Sequence, residues 1–229
     1  HPGRRRMRVA VVGAGWAGMA AAVAAVERGH NVTVFEAART VGGRARTVLA
    51  AQADGTALAL DNGQHILIGA YSESLRLMRT CGVDPDAALL RLPLTLRFAD
   101  GSGLQWPDLP PPLDAVLGIA RARGWSWRER LALLRTAKRW QRQRFACPPE
   151  ATVAELCKGL PRRLFSEFIE PLCVAALNTP AHEASGQVFL RVLQDSLFSG
   201  PGGSNLLLPR TELGRVSDKL LDKYYHGDK

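Results

Sequence analysis

The chain has 229 residues, 46% of them apolar and 22% charged, with 22 glycines and 14 prolines. That length can bury a hydrophobic core in one large or two modest domains, and the composition excludes disordered, collagen-like and low-complexity classes. The formal net charge is +9, from 30 basic and 21 acidic residues. Four cysteines, at 81, 147, 157 and 173, form neither a CxxC pair nor a dense disulfide ladder, so they read as reduced thiols of a cytosolic protein.

Residues Val9 to Val26 carry no charge over 18 positions and follow Arg4, Arg5 and Arg6, the outline of a signal peptide or a membrane span. The residue types argue against both. The run is mostly Ala and Gly, and Gly13, Gly15 and Gly18 interrupt it where a spanning helix needs Leu or Ile. It divides instead into a β-branched strand, Arg8 to Val12, of the kind buried in a parallel sheet, and an alanine-rich helix from Trp16 to Arg28.

The junction of that strand and helix reads Gly13-Ala-Gly15-Trp-Ala-Gly18, and a second strand, Asn31 to Phe35, leads into Glu36. Gly13 permits a tight turn, Gly15 lets a pyrophosphate approach the backbone, and Gly18 lets helix and strand pack closely. The helix N-terminus, with Trp16 and Ala17 in its first turn, offers free N–H groups and a positive dipole end. Glu36, 23 residues after Gly13, stands where a carboxylate can accept hydrogen bonds from an adenosine ribose. This order of parts predicts a dinucleotide site, with FAD and NAD both open because they share the ADP half. Glu36 disfavours NADP, although Arg39 and Arg44 stand nearby.

Next comes Val41-Gly42-Gly43-Arg44-Ala-Arg46-Thr47, in which two glycines let the backbone bend close to a cofactor and Arg44 can pair with a pyrophosphate. The segment resembles the GG doublet of the FAD-dependent amine oxidase and phytoene desaturase superfamily, which implies FAD. Leu60-Asp61-Asn62-Gly63-Gln64-His65 resembles the superfamily segment beside the flavin ring, and so adds Gly63 and Gln64 to the expected cofactor contacts.

Three longer stretches are more specific: Asp61 to Tyr71 (DNGQHILIGAY), Phe168 to Pro180 (FIEPLCVAALNTP) and Gly202 to Arg210 (GGSNLLLPR). They resemble the squalene-associated FAD-dependent desaturases, now understood as hydroxysqualene dehydroxylases, from about Met7 to about Gly214. The resemblance implies a flavoenzyme of bacterial hopanoid or squalene synthesis that uses reduced flavin to replace the hydroxyl of hydroxysqualene with hydrogen, on a lipophilic isoprenoid substrate. A phytoene-desaturase-like or amine-oxidase-like enzyme is the alternative within the superfamily. A non-catalytic dinucleotide-binding module, or an inactive fragment, is the alternative outside it. Members of the family are longer and close the flavin site with a C-terminal segment returning to the Rossmann domain. None is read after Arg215, so the chain is expected to be truncated. The last eleven residues hold three of the five lysines and read as an atypical tail.

Between these motifs, a hairpin is predicted from Leu94 to Phe98 and Gly103 to Trp106 around Asp100-Gly101, with a break at Pro107 to Pro112. Ser126-Trp-Arg-Glu129 and Thr152-Val-Ala-Glu155 read as capping boxes, and Glu183 to Phe198 has helical apolar spacing. The expected fold class is α/β, a Rossmann-like FAD/NAD(P)-binding domain with a partial, mainly helical substrate domain. Its expected divisions are 7–106, 107–215 and the tail 216–229.

The positive charge is concentrated from Arg121 to Arg144, which holds nine basic residues against the single acid Glu129 and includes Trp125, Trp127 and Trp140. That mixture suits peripheral membrane contact through 121–144, on the inner face of the membrane. A solvated arginine-rich helix is the plainer reading, and no nucleic-acid fold motif accompanies the charge. The sequence has no GxSxG elbow, no GK[ST] phosphate loop and no zinc-ligand spacing, so the flavin is expected to carry the chemistry without a metal, and the catalytic acid is unassigned. His65 and Asp61 are candidates by motif position. Asn178 and Glu170 are pocket candidates that equally suit capping or bracing a helix.

Overall fold

A computed structural model of the protein describes residues 5–63, 65–110 and 112–224. The chain forms two compact units, one containing residues up to Leu67, Tyr71–Arg91 and the residues from Leu207 on, the other Ile68–Ala70 and Leu92–Leu206.

The first unit opens with a βαβ crossover. Strand β1 (Arg8–Val12) leads through the glycine turn into α1 (Trp16–Glu27), and β2 (Asn31–Phe35) pairs parallel with β1, from Arg8 opposite Asn31 to Val12 opposite Phe35. Helix α1 has no charge before Glu27 and buries Met19 and Val23, one helical turn apart. β1 is not the fully buried strand that its composition predicts. Val9 and Val11 are half-buried while Val12 is 87% exposed, because the described residues pack α1 against the two-stranded pair and leave alternate side chains open.

An antiparallel hairpin absent from the sequence reading follows, β3 (Thr47–Ala51) with β4 (Ala57–Asp61). Its turn closes through Gln52 N–H to the Thr56 carbonyl at 2.8 Å, and Gly55 at φ +82° takes the left-handed position. The chain continues with β5 (Leu67–Ile68), α2 (Ser72–Thr80), α3 (Pro85–Ala88) and β6 (Leu89–Leu92).

The second unit begins with the hairpin β7 (Thr95–Arg97) and β8 (Gly103–Gln105), joined across Asp100-Gly101 as expected. It is otherwise helical: α4 (Leu113–Ala120), α5 (Trp127–Arg142), α6 (Val153–Leu156), α7 (Arg162–Leu164), a π-turn at Phe165–Ile169, α8 (Glu170–Leu177) and α9 (Gly186–Leu197). Both predicted capping boxes form, Ser126 with Glu129 opening α5 and Thr152 with Glu155 opening α6. The π-turn runs into Glu170-Pro171 at the start of α8, and Pro171 has no N–H to donate to a regular helical ladder. The core contains Trp125 edge-on to Phe168 at 5.9 Å between ring centres and Trp140 edge-on to Phe189 at 6.5 Å.

Strand β9 (Leu206–Pro209) then lies between β5 and β6, and α10 (Gly214–Tyr224) packs against α1. The units therefore do not follow the divisions 7–106, 107–215 and 216–229. Leu104 and Trp106 belong to the helical core, while Leu207, Leu213 and Val216 belong to the Rossmann-side core, so the hairpin and the segment from 207 to 224 group with the partners that bury them. The fold class is α/β, a Rossmann-like unit accompanied by a mainly helical one. Among the described residues no helix is long and apolar enough to cross a membrane, and the uncharged run 9–26 is a strand, a turn and a helix.

Candidate functional site

The glycine turn is built by backbone contacts. Gly13, at φ +95°, donates its N–H to the Phe35 carbonyl at 2.7 Å, which ties the turn to the end of β2. A methyl placed on Gly18 would stand 1.9 Å from the Gly13 carbonyl oxygen, so only a residue without Cβ lets α1 start this close to the turn. Gly15 differs, because the nearest atom to a methyl there is Gly43 Cα at 3.9 Å. No side chain caps α1 at Gly15, and the first intrahelical bond is Met19 N–H to the Gly15 carbonyl at 2.9 Å. The backbone N–H groups of Trp16, Ala17 and Gly18 thus lie in the first turn, where an anion finds donors and the positive dipole end.

Glu36 lies beside this turn. Its Oε2 accepts the Ala14 N–H at 2.7 Å and its Oε1 accepts the Ala38 N–H at 2.7 Å. These bonds, Ala38 first and then Ala14, hold the carboxyl below its ordinary value, so it is charged at neutral pH. Each oxygen retains acceptor capacity for a ribose hydroxyl, and the charge opposes a 2′-phosphate.

The second glycine motif stacks on the first. Gly42 N–H donates to the Ala14 carbonyl at 2.8 Å, and Gly15 and Gly42 form a parallel bridge. Gly42 at φ +99° and Gly43 at φ +62° both occupy left-handed backbone, and a methyl on Gly42 would meet the Ala45 carbonyl at 2.7 Å and Ser217 Oγ at 3.2 Å. Arg44 is exposed beside them, and its carbonyl accepts from His65 Nε2 at 2.9 Å. Asn62 N–H donates to the Arg46 carbonyl at 2.9 Å, which fastens the turn carrying Gly63 to the same segment. Gln64 lies outside the described residues. The structure thus gathers Gly13, Gly15, Trp16, Ala17, Gly18, Glu36, Gly42, Gly43, Arg44 and Gly63 in one unit.

Among the described residues, the buried Trp16 Nε1, Arg46 Nε and Ser217 Oγ of this unit have no hydrogen-bond partner. A buried donor without an acceptor is costly, and these fit the phosphate and carbonyl oxygens of a dinucleotide, as the open approach at Gly15 fits its pyrophosphate. The sequence reading quoted Arg46 only as part of the GG segment and missed Ser217. Arg46 carried a signal in its motif, whereas Ser217 lies 175 positions after Gly42 and had none.

Asp61 Oδ1 accepts the Leu213 N–H at 2.9 Å, joining the end of β4 to the approach to α10. In the other unit Asn178, at φ +52°, is the left-handed C-cap of α8, and Glu170 Oε1 accepts the Ala181 N–H at 3.3 Å. Both therefore have structural work in the helical unit. Among the described residues no group of three or more His, Cys, Asp or Glu side chains is placed to hold a metal ion.

Residues 11–81 match the NAD(P)-binding Rossmann-like domain family. Over 218 residues, 91% of this chain, the sequence is 29% identical to the hydroxysqualene dehydroxylase of Rhodopseudomonas palustris and covers 48% of it. The chain is similar to the hydroxysqualene dehydroxylases over most of its length. It is also 39% identical over 83 residues, 36% of the chain, to 16% of the zeta-carotene desaturase of Synechocystis. Putrescine oxidase with bound putrescine shares the fold at a TM-score of 0.60 and 18% identity, over 96% of this chain and 49% of that one. The solved structure shows a shared fold, and the chain spans about half the length of the dehydroxylase.

Proposed function

We propose that the chain supplies the dinucleotide-binding part of an FAD-dependent oxidoreductase that reductively dehydroxylates hydroxysqualene to squalene. The observation that carries the FAD reading is the stacking of Gly15 against Gly43, with the partnerless Trp16 Nε1, Arg46 Nε and Ser217 Oγ in the same unit. The likeness over 91% of the chain to a hydroxysqualene dehydroxylase supports the reaction and a lipophilic isoprenoid substrate. The greater identity to a carotenoid desaturase extends over only 83 residues, too short a share to select the substrate.

In this reading the first turn of α1 and Arg44 hold the pyrophosphate, Glu36 accepts the ribose hydroxyls, and Arg46 and Ser217 satisfy oxygens of the bound cofactor. Bound there, reduced FAD would supply the two electrons and the hydride that a reductive dehydroxylation needs. His65 donates from Nε2 to the Arg44 carbonyl, which orients its ring across the GG segment.

Titration of the purified chain with FAD, followed by flavin fluorescence and visible absorption, tests the cofactor. Saturable binding that NADP does not compete supports the reading, and absence of binding removes it. Anaerobic incubation of the whole protein with reduced flavin and hydroxysqualene tests the reaction, and failure to form squalene assigns another substrate.

A further inference from the structure

The segment 121–144 is not the uniform tryptophan-bearing surface that its sequence suggests. Trp125 and Trp140 are 3% and 4% exposed and belong to the core, whereas Trp127 is 74% exposed. The helix begins only at Trp127, and Leu133, Thr136 and Trp140 mark its buried face. At about 100° per residue, Trp127, Leu131, Arg135, Lys138 and Arg142 fall within one sector of about 80° on the opposite face. All five are exposed.

The single acid of the segment, Glu129, falls on the other side of the helix, about 200° round from Trp127. Glu129 is engaged in the capping box with Ser126, and the Arg163 guanidinium also acts on it. Arg130 fixes the corner between α4 and α5. It donates from Nη1 to the Ala120 carbonyl at 2.6 Å and from Nε to the Trp125 carbonyl at 3.0 Å, and its guanidinium lies 4.8 Å from the Trp127 ring centre. The Trp127 ring is therefore stacked against an anchored cation, which lowers the ordering cost of its exposure. Helix α4, packed against α5, turns Leu113 and Val116 outward and has no basic residue, because its one charged side chain, Asp114, is buried against the Trp106 indole.

We infer that the outer faces of α4 and α5 form a docking surface for an anionic lipid bilayer. An exposed indole and leucine flanked by arginine and lysine match the interface of a charged membrane, where the apolar groups enter the acyl boundary and the cations meet the headgroups. A nucleic acid would satisfy the cations and leave Trp127, Leu131, Leu113 and Val116 in water. The surface lies in the helical unit and all the cofactor contacts named above lie in the other, so vesicle binding and FAD binding are separable readouts.

The test is co-sedimentation of the chain with vesicles of phosphatidylglycerol and phosphatidylcholine, against phosphatidylcholine alone, at low and high salt. Binding is expected to the anionic vesicles and to weaken with salt. The pair Trp127→Ser with Leu131→Gln, and the triple reversal Arg135→Glu, Lys138→Glu and Arg142→Glu, should each lower it by about tenfold or more, with FAD binding and helical circular dichroism unchanged. Absence of binding to anionic vesicles overturns the inference. So does binding that survives the Trp127/Leu131 pair and is competed by duplex DNA, which makes the face a polyanion site. A dimer in sedimentation velocity that the Trp127/Leu131 pair dissolves, without vesicle binding, assigns the face to a second copy of the chain.

Discussion

Gly15 and Gly43 meet backbone to backbone: a methyl on Gly43 would stand 3.2 Å from Gly15 Cα, while a methyl on Gly15 would have no neighbour nearer than 3.9 Å. The two glycine motifs, separated in the chain by α1 and β2, make one floor in space.

That floor separates folding from binding. Gly15 has φ −75° and ψ 174°, extended backbone that valine adopts readily. Gly15→Val should therefore shift stability by no more than about 1 kcal/mol yet abolish FAD binding, because its methyls fill the approach to the pyrophosphate. Gly18→Ala should do the reverse in part, costing about 1–3 kcal/mol through its clash with the Gly13 carbonyl. Urea denaturation beside an FAD titration separates the two effects. Equal losses of stability would refute the distinction.

Glu36 supplies a pH test. Its carboxyl is held below the ordinary value of 4.5 by the Ala38 and Ala14 N–H groups. The unfolded chain therefore takes up this proton first on acidification, and the stabilising contribution is present above 4.5 and lost as pH falls through the lowered value. Solvent screening keeps the contribution small. Glu36→Gln should flatten this part of the stability curve below pH 5 and weaken FAD binding about tenfold, measured by denaturation across pH and by titration.

Asp61 ties the hairpin to the approach to α10 through the Leu213 N–H. Asp61→Ala leaves that half-buried donor unmatched and should cost about 1–3 kcal/mol. Asp61→Asn keeps an acceptor and should recover most of it. Urea midpoints for the two variants measure the difference, and equal midpoints would mean that the bond contributes nothing.

The cysteines should differ in reactivity. Burial, countered in part by Arg139, pushes the Cys157 thiol from 9.0 up to about 12, and burial also raises Cys81, Cys147 and Cys173. Cys147 is the half-buried one. A thiol-reactive dye should label Cys147 first in the folded chain, and Cys157 only after unfolding. Since the unfolded thiol loses its proton at lower pH, Cys157 should lower stability progressively as pH rises from 9.0 toward about 12. Cys157→Ser should remove much of that decline.

The local parts of this protein were legible because their causes are local. The strands Arg8–Val12 and Asn31–Phe35, the glycine turn between β1 and α1, and the capping boxes at Ser126 and Thr152 each rest on residues within a few positions of one another. The β3–β4 hairpin was overlooked although Asp54-Gly55 marks its turn, because its Ala-rich strands carry little β preference.

The amino-acid sequence by itself determined the βαβ dinucleotide unit and its glycines, since a turn without Cβ, a helix start and an acid at the end of the second strand need no distant partner. Tertiary structure decided what distant segments share. It set Ser217 against Gly42, joined Leu213 to Asp61, and buried Trp125 and Trp140 while leaving Trp127 in solvent. Burial depends on which surfaces meet after the chain has folded, and spacing along the sequence does not carry that information.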